Sequence, residues 1–148
     1  MTESVSEAST AGRERYAPLL NRLRDMPEDV PVTATPSHLI ERAFLEIFQQ
    51  TDAEHRRRAI DELFAPDILF VDPEHESHGV PDVIAQIAAL IDGLDPSWTF
   101  RSVASAVQIA DVAIHRWELG PEGTAIVSGT DVIFAADGKI ARFYTLVG

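Results

Sequence analysis

The chain has 148 residues, 45% of them hydrophobic, no cysteine and a net charge of −12, with an isoelectric point near 4.6. That fits one compact domain with its own core and excludes disulfides, a thiol nucleophile and a thiolate metal site. Its acidity argues against nucleic acid or a membrane as a main partner: the only basic run, HRRR at residues 55–58, precedes Asp61 and Glu62 on what reads as a solvated helix face.

Residues 1–12 are polar and acidic and lack the apolar stretch of a signal peptide, so a cytoplasmic protein with a disordered tail is expected. No apolar run reaches the roughly 18–20 residues that a membrane span needs. Over residues 13–26, Tyr16, Leu19, Leu20, Leu23 and Met26 fall at helical spacing, with Pro18 near the start, as in a short amphipathic arm. Residues 27–36 hold three prolines and read as an extended linker. The flexible arm therefore spans 1–34 and the main domain 35–148.

Thr35 and Pro36 open the first helix of that domain, with Leu39, Ile40, Ala43, Phe44, Ile47 and Phe48 as its apolar stripe. Asp52 caps a second helix, with Ala59, Ile60, Leu63 and Phe64 facing inward and Pro66 as its stop. A short strand follows at 68–72, then a third helix from Pro81 to a stop at Gly93. Beyond it the apolar period changes from 3.6 to 2, and strands are expected at about 98–109, 112–119, 124–134 and 139–147. GPEG at 120–123 and ADGK at 136–139 read as hairpin turns. Three helices and an early strand followed by a meander of long strands predict an α+β fold, a curved sheet wrapped round helices.

Alternation sorts the strand residues by face. Over 113–119, Trp117 and Leu119 belong on the covered, concave side, which carries His115 inward with them and turns Arg116 outward. Both faces of the strand at 124–134 are largely apolar, so a second subunit on the outer face, a homodimer, is expected.

FVDPEHESHG, at residues 70–79, is the densest titratable stretch of the chain. Asp72, His75 and His78 are spaced by three but lie on a strand end and a loop rather than on one helix face, so no metal site is expected. No nucleophile elbow, phosphate loop or dinucleotide fingerprint occurs, and no cofactor is expected.

Four pieces in order, LFAPDILFVDP (63–73), the HG pair 78–79, HRWELG (115–120) and GTDVIFAADGKI (129–140), resemble the nuclear transport factor 2-like superfamily. Within it the chain is most similar to ketosteroid isomerase and SnoaL-like polyketide cyclases. The resemblance covers residues 36–148 and implies a cone-shaped sheet round three helices, an α+β barrel of the cystatin-like kind. It implies that Asp72, at a strand end before Pro73, is a general base. Asp131 matches an aspartate kept protonated to serve a developing oxyanion, and the family's oxyanion tyrosine falls on or beside Phe44, which has no hydroxyl. His115 and Trp117 match pocket positions.

In the apolar cone that the resemblance implies, burial raises the pKa of Asp72, as suits a base; the opposing reading is an aspartate that bonds the following turn. Asp131, mid-strand, would be a plain surface residue if it faced outward; facing inward, as the resemblance implies, it is either protonated or paired, with His115 as the expected partner and Asp72, Asp131 and His115 as the catalytic set. Trp117, Phe44, Phe48, Phe64, Phe70, His78, Trp98 and Ile133 are the candidate substrate-binding residues, core first and pocket lining second for the aromatics. The resulting expectation is a cofactor-independent enzyme transferring protons on an apolar carbonyl substrate by isomerisation, cyclisation or dehydration. The alternative is a non-catalytic small-molecule-binding or dimerisation module.

Overall fold

A computed structural model describes residues 34–148 and, upstream of them, Pro18, which is helical and exposed. The amphipathic arm and most of the linker lie outside the described residues. The chain divides at Val30/Pro31, and the second unit, Pro31–Gly148, carries the fold.

Helix α1, Pro36–Ala43, starts from an extended Thr35 with Pro36 in its first turn, where a missing N–H costs nothing. It runs on as a π-helical turn, Phe44–Phe48, closed by the Gln49 N–H on the Phe44 carbonyl at 2.9 Å. Helix α2, Ala53–Leu63, is capped as expected: the Asp52 carboxylate accepts from the N–H groups of Glu54 (2.9 Å) and His55 (3.3 Å). It ends at Leu63 rather than at Pro66 because Phe64 is already extended, and β1, Phe64–Val71, begins there, four residues before the expected strand.

The FVDPEHESHG stretch folds back as a hairpin. Its second arm is a strand the sequence reading lacked, β2 (Glu76–His78), pairing Val71 with Glu76 and Leu69 with His78. Gly79, at φ 83°, turns the chain into α3, Val80–Asp92, a conformation that costs a residue with a Cβ.

The expected strand over 98–109 is two strands, β3 (Thr99–Ser102) and β4 (Val107–Ile109), both on β5 (Val112–Gly120). Between the pairs Ser102–Trp117 and Val107–Ile114 the chain makes an excursion, because the Ala106 N–H leaves the ladder for the Glu41 carboxylate of α1 at 2.9 Å. Strand β6 is Val127–Ala136 and β7 is Lys139–Val147. The turn between them is the Asp-Gly turn the sequence announces, with φ 53° at Asp137 and 76° at Gly138.

The sheet runs β2-β1-β7-β6-β5-β3, with β1 and β7 parallel and every other pair antiparallel. It is curved and open, and the three helices fill its concave side, as expected. The main core joins α1, α2 and α3 to Phe64, Ile68, Phe70, Ile133, Ile140 and Phe143. Each such side chain contributes about 1.5–3 kcal/mol by leaving water. A second, smaller cluster, Phe44, Phe100, Trp117 and Leu119, walls the site.

Candidate active site

Asp72 follows Val71, which pairs with Tyr144 on β7, so it stands level with Thr145, and Thr145 pairs with Asp131 on β6. Three neighbouring strands thus set two carboxyl groups side by side, about 10 Å apart along the sheet at the usual strand spacing. Both line one cavity of about 200 Å³, walled by Phe44, Phe48, Phe70, Trp98, Trp117 and other apolar side chains. These five aromatics are among the candidate binding residues of the sequence reading, and all five line this cavity.

The side-chain carboxylate of Asp72 is 7% exposed. Its Oδ1 accepts from the Glu74 N–H (2.8 Å) and the His75 N–H (2.7 Å), and its Oδ2 from Gln86 Nε2 on α3 (2.8 Å). Burial alone would raise its pKa, but the bonds from Gln86, Glu74 and His75 outweigh it and hold the carboxyl below its usual range. The expected upward shift is therefore reversed, and Asp72 is a carboxylate at neutral pH.

Asp131 has the opposite environment. It is 4% exposed, and its Oδ1 accepts from Trp117 Nε1 (2.9 Å) and Thr145 Oγ1 (2.5 Å). Its Oδ2 takes no hydrogen bond from the described residues. Burial pushes its pKa up to about 7, against the two donors, so near neutrality it holds a proton much of the time. With Oδ1 accepting twice, Oδ2 is the oxygen free to carry that proton.

His115 is not the partner of Asp131, although the two are directly opposite across β5 and β6 and both point inward. The reason is Gly129, opposite Trp117: a Cβ there would meet the indole at 2.2 Å, so the ring lies over bare backbone and reaches diagonally to Asp131. His115 instead packs edge-on against Phe44, with ring centroids 4.7 Å apart, and its Nε2 meets Ser102 Oγ at 2.8 Å. It lines a separate crevice of about 190 Å³ with Glu41, Phe44 and Ser102, not the cavity of the two aspartates. Burial lowers its pKa against the pull of Glu41, so it is neutral, and its Nδ1 is buried with no partner among the described residues.

Three candidate binding residues lie elsewhere. Phe64 and Ile133 are 1% and 0% exposed and belong to the main core rather than to the cavity: Phe64 opens β1 eight positions before Asp72, and Ile133 lies two residues beyond Asp131 on β6. His78 is exposed, bonded to Glu76 at 3.0 Å, and faces an outer groove beside Asp72 rather than the apolar cavity. Arg116 points outward as expected. Among the described residues no group of three histidines and carboxylates gathers to hold a metal, and no helix is long and apolar enough to cross a membrane.

Gln86 and Thr145, the donors that set the two carboxyl groups, escaped the sequence reading. Gln86 is the lone polar residue on the α3 stripe of Val83, Ile87 and Leu90, and Thr145 shares the inward parity of Phe143; either signal could have found them.

The curved, open sheet with helices on its concave side is an α+β cone fold, shared with a nuclear transport factor 2-like protein from Cytophaga hutchinsonii that is 8% identical, with a TM-score of 0.57 over 81% of this chain and 94% of that one. Within that fold, the chain belongs to the SnoaL-like domain family, whose profile matches residues 42–143. A candidate isomerase of the SnoaL-like family from Agrobacterium tumefaciens is 24% identical, with a TM-score of 0.69 over 76% of this chain and 97% of that one. A candidate polyketide cyclase from Sinorhizobium meliloti is 20% identical, at 0.60 over 80% and 96%. A candidate ketosteroid isomerase from Kribbella flavida is 13% identical, at 0.58 over 76% and 78%. At these identities the likeness is one of fold. No curated protein matches the chain.

Proposed function

We infer that this SnoaL-like domain is a small cofactor-independent enzyme that moves a proton on an apolar carbonyl compound. The observation that carries this reading is a pair of carboxyl groups on one apolar cavity with proton affinities driven apart: Asp72 low, Asp131 at about 7. Asp72 accepts a proton from the carbon next to the carbonyl, and Asp131 donates a hydrogen bond from Oδ2 to the enolate oxygen that forms. A weak base such as Asp72 succeeds only if the enolate is stabilised, which makes the second aspartate indispensable. Return of the proton to another carbon is isomerisation; attack of the enolate on a second carbonyl is aldol cyclisation; loss of a β-hydroxyl is dehydration. At about 200 Å³ the cavity is below the roughly 300–1,000 Å³ of pockets that bury drug-sized ligands, which favours a one- or two-ring substrate.

The test is exchange of the α-protons of 2-tetralone for deuterium in heavy water, followed by NMR. Wild type should accelerate it, with Asp72→Asn slowing it about 100-fold or more and Asp131→Asn slowing it at least tenfold. An Asp72→Asn protein as fast as wild type overturns the assignment.

A second reading, a non-catalytic binding module, is supported by the three hydrogen bonds that already occupy Asp72 and by the absence of a hydroxyl at Phe44. Ketone binding with no exchange would favour it. A homodimer through the outer face of the sheet, where Val107, Ile114 and Leu146 are exposed, accompanies either reading and is tested by light scattering.

A further inference from the structure

Two cavities meet at one side chain. Phe44 is 4% exposed, yet it lines both the cavity of Asp72 and Asp131, of about 200 Å³, and the crevice of His115, of about 190 Å³. The ring packs edge-on against both Phe100, with centroids 6.3 Å apart, in the aromatic wall, and His115, at 4.7 Å. The ring is held at the head of the π-helical turn, where its carbonyl takes the Gln49 N–H and Gln49 Nε2 in turn binds the Phe100 carbonyl at 2.8 Å. Behind it, His115 is 2% exposed, and its buried Nδ1 has no hydrogen-bond partner among the described residues. Leaving such an atom unpaired is unfavourable, so a group that reached it would gain a hydrogen bond there.

We propose that Phe44 is the specificity-determining partition of the site. It ends the substrate cavity after one or two rings and separates it from a second, solvent-open crevice beside His115 that would otherwise receive the far end of a longer ketone carrying a polar group. This rests on the reading of the main cavity as a carbonyl-binding site. Neither chamber alone has the volume of an ordinary ligand pocket, whereas the two joined fall within its usual range.

Isothermal titration of acetophenone, 2-acetylnaphthalene and 2-acetylphenanthrene into wild type and Phe44→Ala tests it, with Phe44→Leu as a milder truncation should the alanine variant fail to fold. Wild type should bind the one- and two-ring ketones at least tenfold more tightly than the three-ring ketone. Either variant should tighten the three-ring ketone at least tenfold, and only then should its addition shift the His115 ring signals in the NMR spectrum. Tight binding of the three-ring ketone to wild type, or a truncated protein with an unchanged order and unmoved His115 signals, overturns the partition while leaving the carbonyl site intact. Binding of no ketone by any of the proteins overturns both.

Discussion

Trp117 Nε1 donates to Asp131 Oδ1 at 2.9 Å, a diagonal reach from β5 to β6 over the bare backbone of Gly129. The bond is the hinge of the site: it fills Oδ1, leaves Oδ2 for a ligand, and takes Asp131 away from His115, its direct cross-strand neighbour.

Gly129→Ala places a methyl group where the indole lies, 2.2 Å from the Trp117 ring and 2.6 Å from the Leu146 carbonyl. Backbone cannot yield there, so the indole must. Urea unfolding should show a loss of about 1–3 kcal/mol, the range of an overpacked core, together with loss of ketone binding. Full stability with full binding would show that the indole has room to move.

Asp131→Asn keeps the acceptor for Trp117 and Thr145 and removes the charge. The folded-state pKa of Asp131, about 7, is above the ordinary value of 3.8, so the folded protein binds the extra proton between them and loses stability as pH rises through that window. The asparagine variant should match wild type at about pH 4 and exceed it by up to about 4 kcal/mol at pH 8, from roughly three pH units at 1.36 kcal/mol each. Urea unfolding at the two pH values measures the difference; equal stability at pH 8 refutes an Asp131 pKa raised by burial.

His115 gives a slope of opposite sign. Its folded pKa is below 6.5, so the stability due to its neutral form is present above pH 6.5 and is lost as pH falls. His115→Phe should flatten the decline of the melting temperature between pH 7 and pH 5, though the lost bond to Ser102 lowers the whole curve. An undiminished decline would assign it to other groups.

Gln86→Leu removes the first of the bonds that lower the Asp72 pKa and leaves burial with less opposition. The acid limb of the pH–rate profile for deuterium exchange should move to higher pH, with the rate at pH 8 less affected than at pH 5. A profile displaced equally at all pH values would mean that Gln86 acts on shape alone.

The fold was legible because its signals are local. The change of period after Gly93, the Asp-Gly turn and the inward parity of His115, Trp117 and Leu119 all appear in the structure. What escaped depends on contacts between distant segments. The break between β3 and β4 is made by Glu41, 65 residues away, and the ionisation of Asp72 by Gln86, 14 residues on. Alternation turned His115 inward and the family resemblance did the same for Asp131, but partner choice turned on a missing side chain at Gly129, which neither signal registers. Asp72 illustrates both limits: the turn-bonding geometry and the cavity position are realised together.

The two tryptophans of the chain, Trp98 and Trp117, both line the one cavity. Essentially all of the protein's tryptophan emission therefore originates at the site's own wall. Any compound that enters should change the colour or intensity of that light without a label, a known substrate or a coupled reaction, so a library of unmodified metabolites can be screened against the wild-type protein by fluorescence alone.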